Sequence, residues 1–222
     1  MNFAYNMDCM EAMRQMPDKC FDLAVVDPPY YENAEGIIVP GGKVSTTGVE
    51  RRKYKMPYWR PPTAEYFSEL ERVSRERIIF GINYFQIKNP GSGRIVWDKE
   101  ADNGTSFSDC EIAYCSAINH VEIFRYRWNG MLQQNMKQKE IRIHPTQKPV
   151  ALYAWIFSRY AKPGNKILDT HLGSGSSRIA AYDAGLDFIG FEIDPDYFKA
   201  QEERYAAHIA QMSLFDGSVA DD

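Results

Sequence analysis

Hydrophobic positions change rhythm along this chain, and each change marks an element. Leu23, Ala24, Val25 and Val26 form an unbroken apolar run, the pattern of a strand covered on both faces in a parallel sheet. Two prolines follow, and a residue with no amide hydrogen ends a ladder, so the strand is predicted over 21–26. Before it, residues 10–16 read as a short helix. Tyr66, Phe67, Leu70 and Val73 recur at helical spacing, which predicts a helix over 63–75 with Thr63 as its N-cap. RIIFGI and RIVW then read as strands, and 110–128 as further strand segments.

From Thr146 onward helix and strand alternate. A helix runs to about Tyr160 and breaks at Pro163-Gly164; KILDT is a strand, 175–184 a helix, FIGFEID a strand, and 195–210 a closing helix. Such alternation predicts parallel βαβ units and a doubly wound α/β sheet. Residues 1–210 then form one domain and 211–222 a tail. Between 31 and 62 neither period is present. Pro40-Gly41-Gly42, Ser45-Thr46-Thr47-Gly48 and three further prolines make this a loop, expected to be mobile, and loops this long are usually functional.

Composition narrows the class. Of 222 residues 44% are hydrophobic and 14% aromatic, enough to fill a core and too many for global disorder. No apolar run approaches the length that spans a bilayer, and the N-terminus lacks the basic start and apolar centre of a secretory signal. Cys9, Cys20, Cys110 and Cys115 form no CxxC pair and read as reduced packing residues of a cytoplasmic chain. His120, His144, His171 and His208 lack metal-ligand spacing, and no metal site is expected.

The net charge of −4 does not by itself point to nucleic acid. Its distribution does more: Lys43, Arg51, Arg52, Lys53, Lys55 and Arg60 outnumber Glu32, Glu35 and Glu50 in the 31–62 loop. Tyr54, Tyr58 and Trp59 lie among them and could offer stacking faces. A solvated surface loop is the plain alternative.

ILDTHLGSGSSRIAA reads as a strand, a tight turn and a helix start, with Gly173 and Gly175 allowing a ligand close to the backbone. Arg178 stands where a third glycine would complete a dinucleotide fingerprint, which disfavours that fingerprint. Glu192 ends the next strand, where a carboxylate can accept from ribose hydroxyls; a strand-terminal surface acid is the alternative.

Asp27-Pro28-Pro29-Tyr30, followed far downstream by Asp169, Gly173-Ser174-Gly175 and Glu192, resembles the S-adenosylmethionine-dependent DNA amino-methyltransferases. With the DPPY motif before the glycine loop, the order is that of the permuted β class. Asp8 in NMDCMEAM, Trp97-Asp98-Lys99 and HPTQKP (144–149) extend the match over most of the chain. The resemblance implies a Rossmann-like, mostly parallel sheet with circularly permuted motifs, S-adenosyl-L-methionine as cofactor and double-stranded DNA as partner. An acid opening the DPPY motif, where a Ser could stand, resembles the adenine-N6 branch more than the cytosine-N4 branch. Carried over by resemblance, Asp27, Pro28, Pro29 and Tyr30 are catalytic. Asp8, Lys148, Asp169, His171, Gly173, Ser174, Gly175, Ser176 and Glu192 lie on the cofactor side. Arg51, Arg52, Lys53, Tyr54, Lys55 and Trp59 meet DNA, and about 100–143 is a short target-recognition region. Plainer roles stand beside these: a helix-start acid for Asp8, an N-cap-like acid for Asp169, a surface lysine for Lys148 and an architectural Trp97-Asp98-Lys99. Thr170-His171 departs from the family's Pro-Phe, and Ser176-Ser177 from its Thr-Thr.

The chemistry fits the motif. An exocyclic adenine amine is a poor nucleophile because its lone pair is delocalised into the ring. The Asp27 carboxylate and Pro28 carbonyl can accept its two N–H bonds and favour a pyramidal nitrogen, while the prolines hold that carbonyl in place. Tyr30 offers a stacking face to a base taken out of the duplex. Rival readings are a methyltransferase for protein glutamine and a silent DNA-binding protein; the intact motif argues against the second. At the far end, Gln211-Met212-Ser213-Leu214-Phe215 resembles the short peptides that dock on the bacterial sliding clamp, against the alternative that Leu214 and Phe215 fold back on the core. A homodimer is left open.

Overall fold

The computed structural model describes residues 1–32, 38–39, 54–55, 59–88, 90–101, 108–129 and 132–216, the side chains of 38–39, 54–55 and 213–216 excepted. Strand β1 (Asn2–Asn6) leads into helix α1 (Cys9–Met13) and the buried strand β2 (Phe21–Val26). A two-residue ladder, β3 (Ile38–Val39) against β4 (Tyr54–Lys55), stands in the segment expected to be structureless. Helix α2 (Ala64–Val73) runs directly into β5 (Ser74–Phe80), and β6 (Arg94–Asp98), β7 (Cys110–Cys115) and β8 (Val121–Arg125) follow. A small ladder of β9 (Trp128–Asn129) and β10 (Leu132–Gln133) precedes α3 (Val150–Tyr160). The chain ends in β11 (Lys166–Asp169), α4 (Ser176–Asp183), β12 (Asp187–Glu192) and α5 (Pro195–Asp216).

Eight strands form one sheet in the order β1-β12-β11-β2-β5-β7-β6-β8. Only β7 runs against its neighbours; every other pairing in the sheet is parallel. The α/β doubly wound expectation therefore holds, with one reversed strand toward one edge. From β2 the chain steps through α2 to β5, and from β11 through α4 to β12, in opposite directions across the sheet. Connections that part in this way open a crevice above the β2–β11 boundary, the usual ligand position in open α/β sheets. Two apolar layers cover the faces. Leu23, Val25, Ile78, Phe80 and Trp97 pack with Leu152, Ile156 and Phe157 of α3 on one side. On the other, Ala24, Val26 and Ile79 pack with Met13 of α1 and with Tyr66, Leu70 and Val73 of α2.

Two boundaries differ from expectation. Helix α3 starts at Val150 rather than Thr146, because Lys148 precedes a proline and is pushed out of the helical region. Pro149 is extended (φ −69°, ψ 147°) and forms the N-cap. Helix α5 runs to Asp216, so 211–216 is helix and not a tail beyond it. Within 100–143, β7 and β8 join the main sheet, in line with the strand segments expected over 110–128. Strand β1 is absent from the sequence reading, since its alternation over five residues (NFAYN) is too short and polar to register.

Candidate active site

Asp27 closes β2 at the centre of the sheet, its side chain 15% exposed. Its two oxygens have different donors. The Tyr30 hydroxyl donates to Oδ1 at 2.5 Å, and the Lys148 ammonium sits on Oδ2. Lys148 follows the 144–147 turn of HPTQKP, is 4% exposed, and also meets Glu111 Oε2 of β7 at 2.9 Å. Lys99 holds the other oxygen of Glu111 at 2.7 Å. Two buried carboxylates and two ammonium groups thus alternate, and the cluster is neutral as buried charge requires. Burial pushes Asp27 above the usual carboxylate range, with Lys148 opposing. Burial acts upward on Glu111 too, but Lys148 and Lys99 together outweigh it and bring Glu111 to about 2.

Tyr30 is packed from several directions. Its ring stacks on Tyr84 at 4.9 Å and 9°, and Phe85 meets it edge-on at 5.9 Å. One face, expected to be open for a base, therefore carries Tyr84, itself 57% exposed. Beneath the ring lies Gly81, with φ +69°; a Cβ there would fall 2.1 Å from a Tyr30 ring carbon. RIIFGI thus supplies the strand's end and the space that Tyr30 fills.

The glycine turn follows β11, the neighbour of β2. Glu192 reaches back from the end of β12 and accepts from the Gly173 amide through Oε2 (2.8 Å) and from the Asp194 amide through Oε1 (2.9 Å). Asp169 accepts from the His171 amide (3.0 Å) and the Ser177 hydroxyl (2.5 Å), so it fastens the turn to α4; burial pushes its carboxyl up to about 7. Gly175, at φ +73°, caps α4 with Gln201 3.1 Å from where a Cβ would be. Ser174 and Ser176 share a hydrogen bond of 3.1 Å. Arg204 of α5 donates to the Ser174 carbonyl (2.7 Å) and to Glu140 (2.7 Å), a support no motif signalled. His171 bonds Thr170 Oγ1 at 2.9 Å and lies edge-on to Tyr66; burial lowers its pKa to about 4, with Asp8 opposing. Asp8 is exposed and caps α1 by accepting from the Met10 amide at 2.8 Å.

The structure thus brings Asp27, Pro28, Pro29, Tyr30 and Lys148 together at one strand end and the glycine turn with Asp169, His171 and Glu192 at the next. Lys148 is a buried partner of Asp27, not a surface lysine at a helix start. Trp97 is buried and donates to the Tyr126 carbonyl at 3.1 Å, an architectural position. Trp59 lies 6.1 Å from both Tyr31 and His144, at the rim of the turn. Arg51, Arg52 and Lys53 lie outside the described residues, as do the side chains of Tyr54, Lys55, Leu214 and Phe215. Glu111, Gly81, Tyr84 and Arg204 are contributors that sequence reasoning missed.

A sequence profile of the N6/N4 DNA methylase family matches residues 82–203, more than half of the chain. The chain belongs to this family. YubD of Escherichia coli (strain K12), a methylase by name, is 25% identical over 228 residues, covering 97% of this chain and 94% of that protein. Among solved structures, the M1.HpyAVI complex with S-adenosylmethionine superposes with a TM-score of 0.56 at 21% identity, covering 92% of this chain and 100% of that one. The cytosine-N4-specific PvuII DNA methyltransferase gives 0.58 at 13% identity, covering 94% and 91%. These likenesses are in fold. The profile spans the glycine turn and HPTQKP, whereas the Asp27 corner lies before the matched stretch of this methylase.

Proposed function

We propose that this methylase transfers the methyl group of S-adenosylmethionine to the N6 amine of an adenine turned out of duplex DNA. The observation that carries the reading is the Asp27–Pro28 corner at the mouth of the crevice, one strand away from the glycine turn. The turn fits the cofactor: Glu192 offers a carboxylate at the end of β12, and positive φ at Gly173 and Gly175 leaves backbone bare for close approach. His171, Ser174, Ser176 and the exposed Asp8 would line the same side, with Asp169 holding the turn from behind. When bound, the cofactor supplies an already activated methyl on a sulfonium. The chain's own part is to hold the amine. Asp27 and the Pro28 carbonyl accept its two N–H bonds, leaving the nitrogen lone pair free along the line of transfer. Tyr30 stacks on the base, which requires Tyr84 to leave the face it covers.

DNA would be met by Arg51, Arg52, Lys53, Tyr54, Lys55 and Trp59; Arg51, Arg52 and Lys53 replaced by Ala should bind DNA more weakly with a flatter salt dependence. Gln211, Leu214 and Phe215 would dock on a sliding clamp, and residues 211–216 being helical requires the last turn to unwind or to present the peptide as helix. A pull-down with the clamp, comparing parent and Leu214→Ala/Phe215→Ala, tests this. The reaction itself is tested by labelled methyl transfer to duplex DNA followed by nucleoside analysis. N6-methyladenine is expected. N4-methylcytosine would instead support the second reading, favoured by the fold likeness to the PvuII enzyme, and no label in DNA would overturn both.

A further inference from the structure

Lys148 stands between two carboxylates, and only Asp27 belongs to the catalytic corner. That arrangement creates a conflict for the reaction. Each Asp27 oxygen already has a donor, the Tyr30 hydroxyl on one and the ammonium on the other. A lone pair polarised toward an ammonium is a weaker acceptor for an arriving amine N–H. Water cannot take the ammonium away, because Lys148 is 4% exposed.

Glu111 resolves the conflict. Its Oε2 is buried 2.9 Å from Lys148 Nζ, and among the described residues no donor is aligned on it for a hydrogen bond. The ammonium is already at ion-pair distance from this oxygen, so Glu111 can take it over with little movement. Lys99 pins the opposite oxygen at 2.7 Å, and β7 is laced to β6 from Cys110 to Tyr114, so Glu111 stays where it is. A small rotation of the lysine would transfer its hydrogen bond from Asp27 to Glu111 without changing the net charge of the cluster.

We propose that Glu111 is a positioning residue that draws the Lys148 ammonium away from Asp27 as the target amine docks, so that Asp27 meets the amine with free lone pairs. Lys148 remains near enough to keep Asp27 ionised. The role rests on Asp27 receiving the amine, as in the functional reading above.

The test is single-turnover methylation of duplex DNA at saturating cofactor and DNA, across pH, for the parent, Glu111→Gln and Glu111→Asp. In Glu111→Gln the ammonium has only Asp27 to pair with. The plateau rate should fall on the order of tenfold, the worth of one weakened charge-assisted hydrogen bond in the transition state, while cofactor affinity stays within about twofold. The acid limb of the profile should move to lower pH, since Glu111 no longer opposes ionisation of Asp27; the other groups facing Asp27 are Lys148, Tyr30, Tyr66, Tyr153 and Asp169. Glu111→Asp, which keeps the anion, should recover part of both effects. A loss through misfolding would lower the rate without moving the limb. A Glu111→Gln plateau within about twofold of the parent, or an unmoved limb, overturns the positioning role. A parent that labels no DNA refutes the functional reading instead, together with the docking event on which this role depends.

Discussion

The Asp27 corner and the glycine turn lie at the ends of adjacent strands, yet they are held by opposite means. The turn is built locally. Asp169, His171, Ser174, Ser176 and Ser177 lie within nine residues, and its two carboxylates are satisfied by backbone amides and a hydroxyl. The corner is built across the molecule: Asp27 is tied to Lys148, 121 residues away, and through it to Glu111. Amides and a hydroxyl fix a shape. Paired charges fix an electrostatic balance that a single substitution upsets. The turn suits holding a cofactor, and the corner suits polarising an amine.

The largest effect should come from the corner. Asp27→Ala is expected to slow methyl transfer by roughly 100- to 1000-fold, the usual cost of a lost preorganised partner, with cofactor binding largely intact. Turnover within a few-fold of the parent would show that the two regions do not divide the work in this way. Next in size is Gly81→Ala. The new Cβ meets the Tyr30 ring 2.1 Å away at a φ of +69°, so Tyr30 must leave its place against Asp27. A loss on the order of tenfold or more is expected, again with cofactor affinity retained, and calorimetric titration beside the rate assay separates the two. If cofactor affinity falls as far as the rate, Gly81 supports both regions and the division fails.

How much of each region was legible follows the same divide. The turn could be read from ILDTHLGSGSS because its partners are neighbours in the chain, and Glu192 from the next strand's end. Asp27 and Tyr30 were legible as a motif. Glu111 was not, because nothing in CEIAYC distinguishes a carboxylate aimed at a buried lysine from one facing solvent. Only the reversed strand β7 brings it there, on the face it shares with Trp97 and Ala113. The fold shows the same pattern. Long apolar elements such as β2 and α2 were readable, whereas β1 depends on pairing with β12, 186 residues away by its shared contacts. The β3–β4 ladder was hidden among glycines and prolines, where strand propensity is low.

For the turn, smaller effects on chemistry and direct effects on affinity are expected. Gly175→Val would place a branched side chain at φ +73° against Gln201, and Glu192→Ala would remove the acceptor that holds the Gly173 amide. Each should weaken cofactor binding on the order of tenfold or more, the scale of one or two hydrogen bonds to a charged group. With cofactor saturating, rates should return to within a few-fold of the parent. Unchanged affinity in both variants would remove the cofactor from this turn.

The smallest expected effect concerns pH and two histidines beside the turn, His144 and His171. Burial lowers His144 to about 3 and His171 to about 4, from the ordinary value near ~6.5. Between pH 5 and 6.5 the unfolded chain therefore binds protons on both rings that the folded protein refuses, and stability falls as pH falls. Asp169, raised to about 7 by burial, acts the other way: in this window the folded protein holds a proton that the unfolded chain lacks. Burial also raises Asp27, Glu140 and Glu192, which act in the same sense as Asp169, so one histidine's contribution is read from the difference between two proteins and not from the parent's slope. His171→Phe removes one histidine while keeping a ring against Tyr66; its loss takes away about one proton of the difference, or about 1.4 kcal/mol per pH unit, near pH 5 and about half that near pH 6.5. Chemical denaturation at several pH values from 5 to 6.5 should show the variant losing stability less steeply on acidification than the parent, with the two diverging most near pH 5. Parallel lines would mean that His171 already takes up its proton in the folded turn, and that the turn, like the corner, is governed by charge.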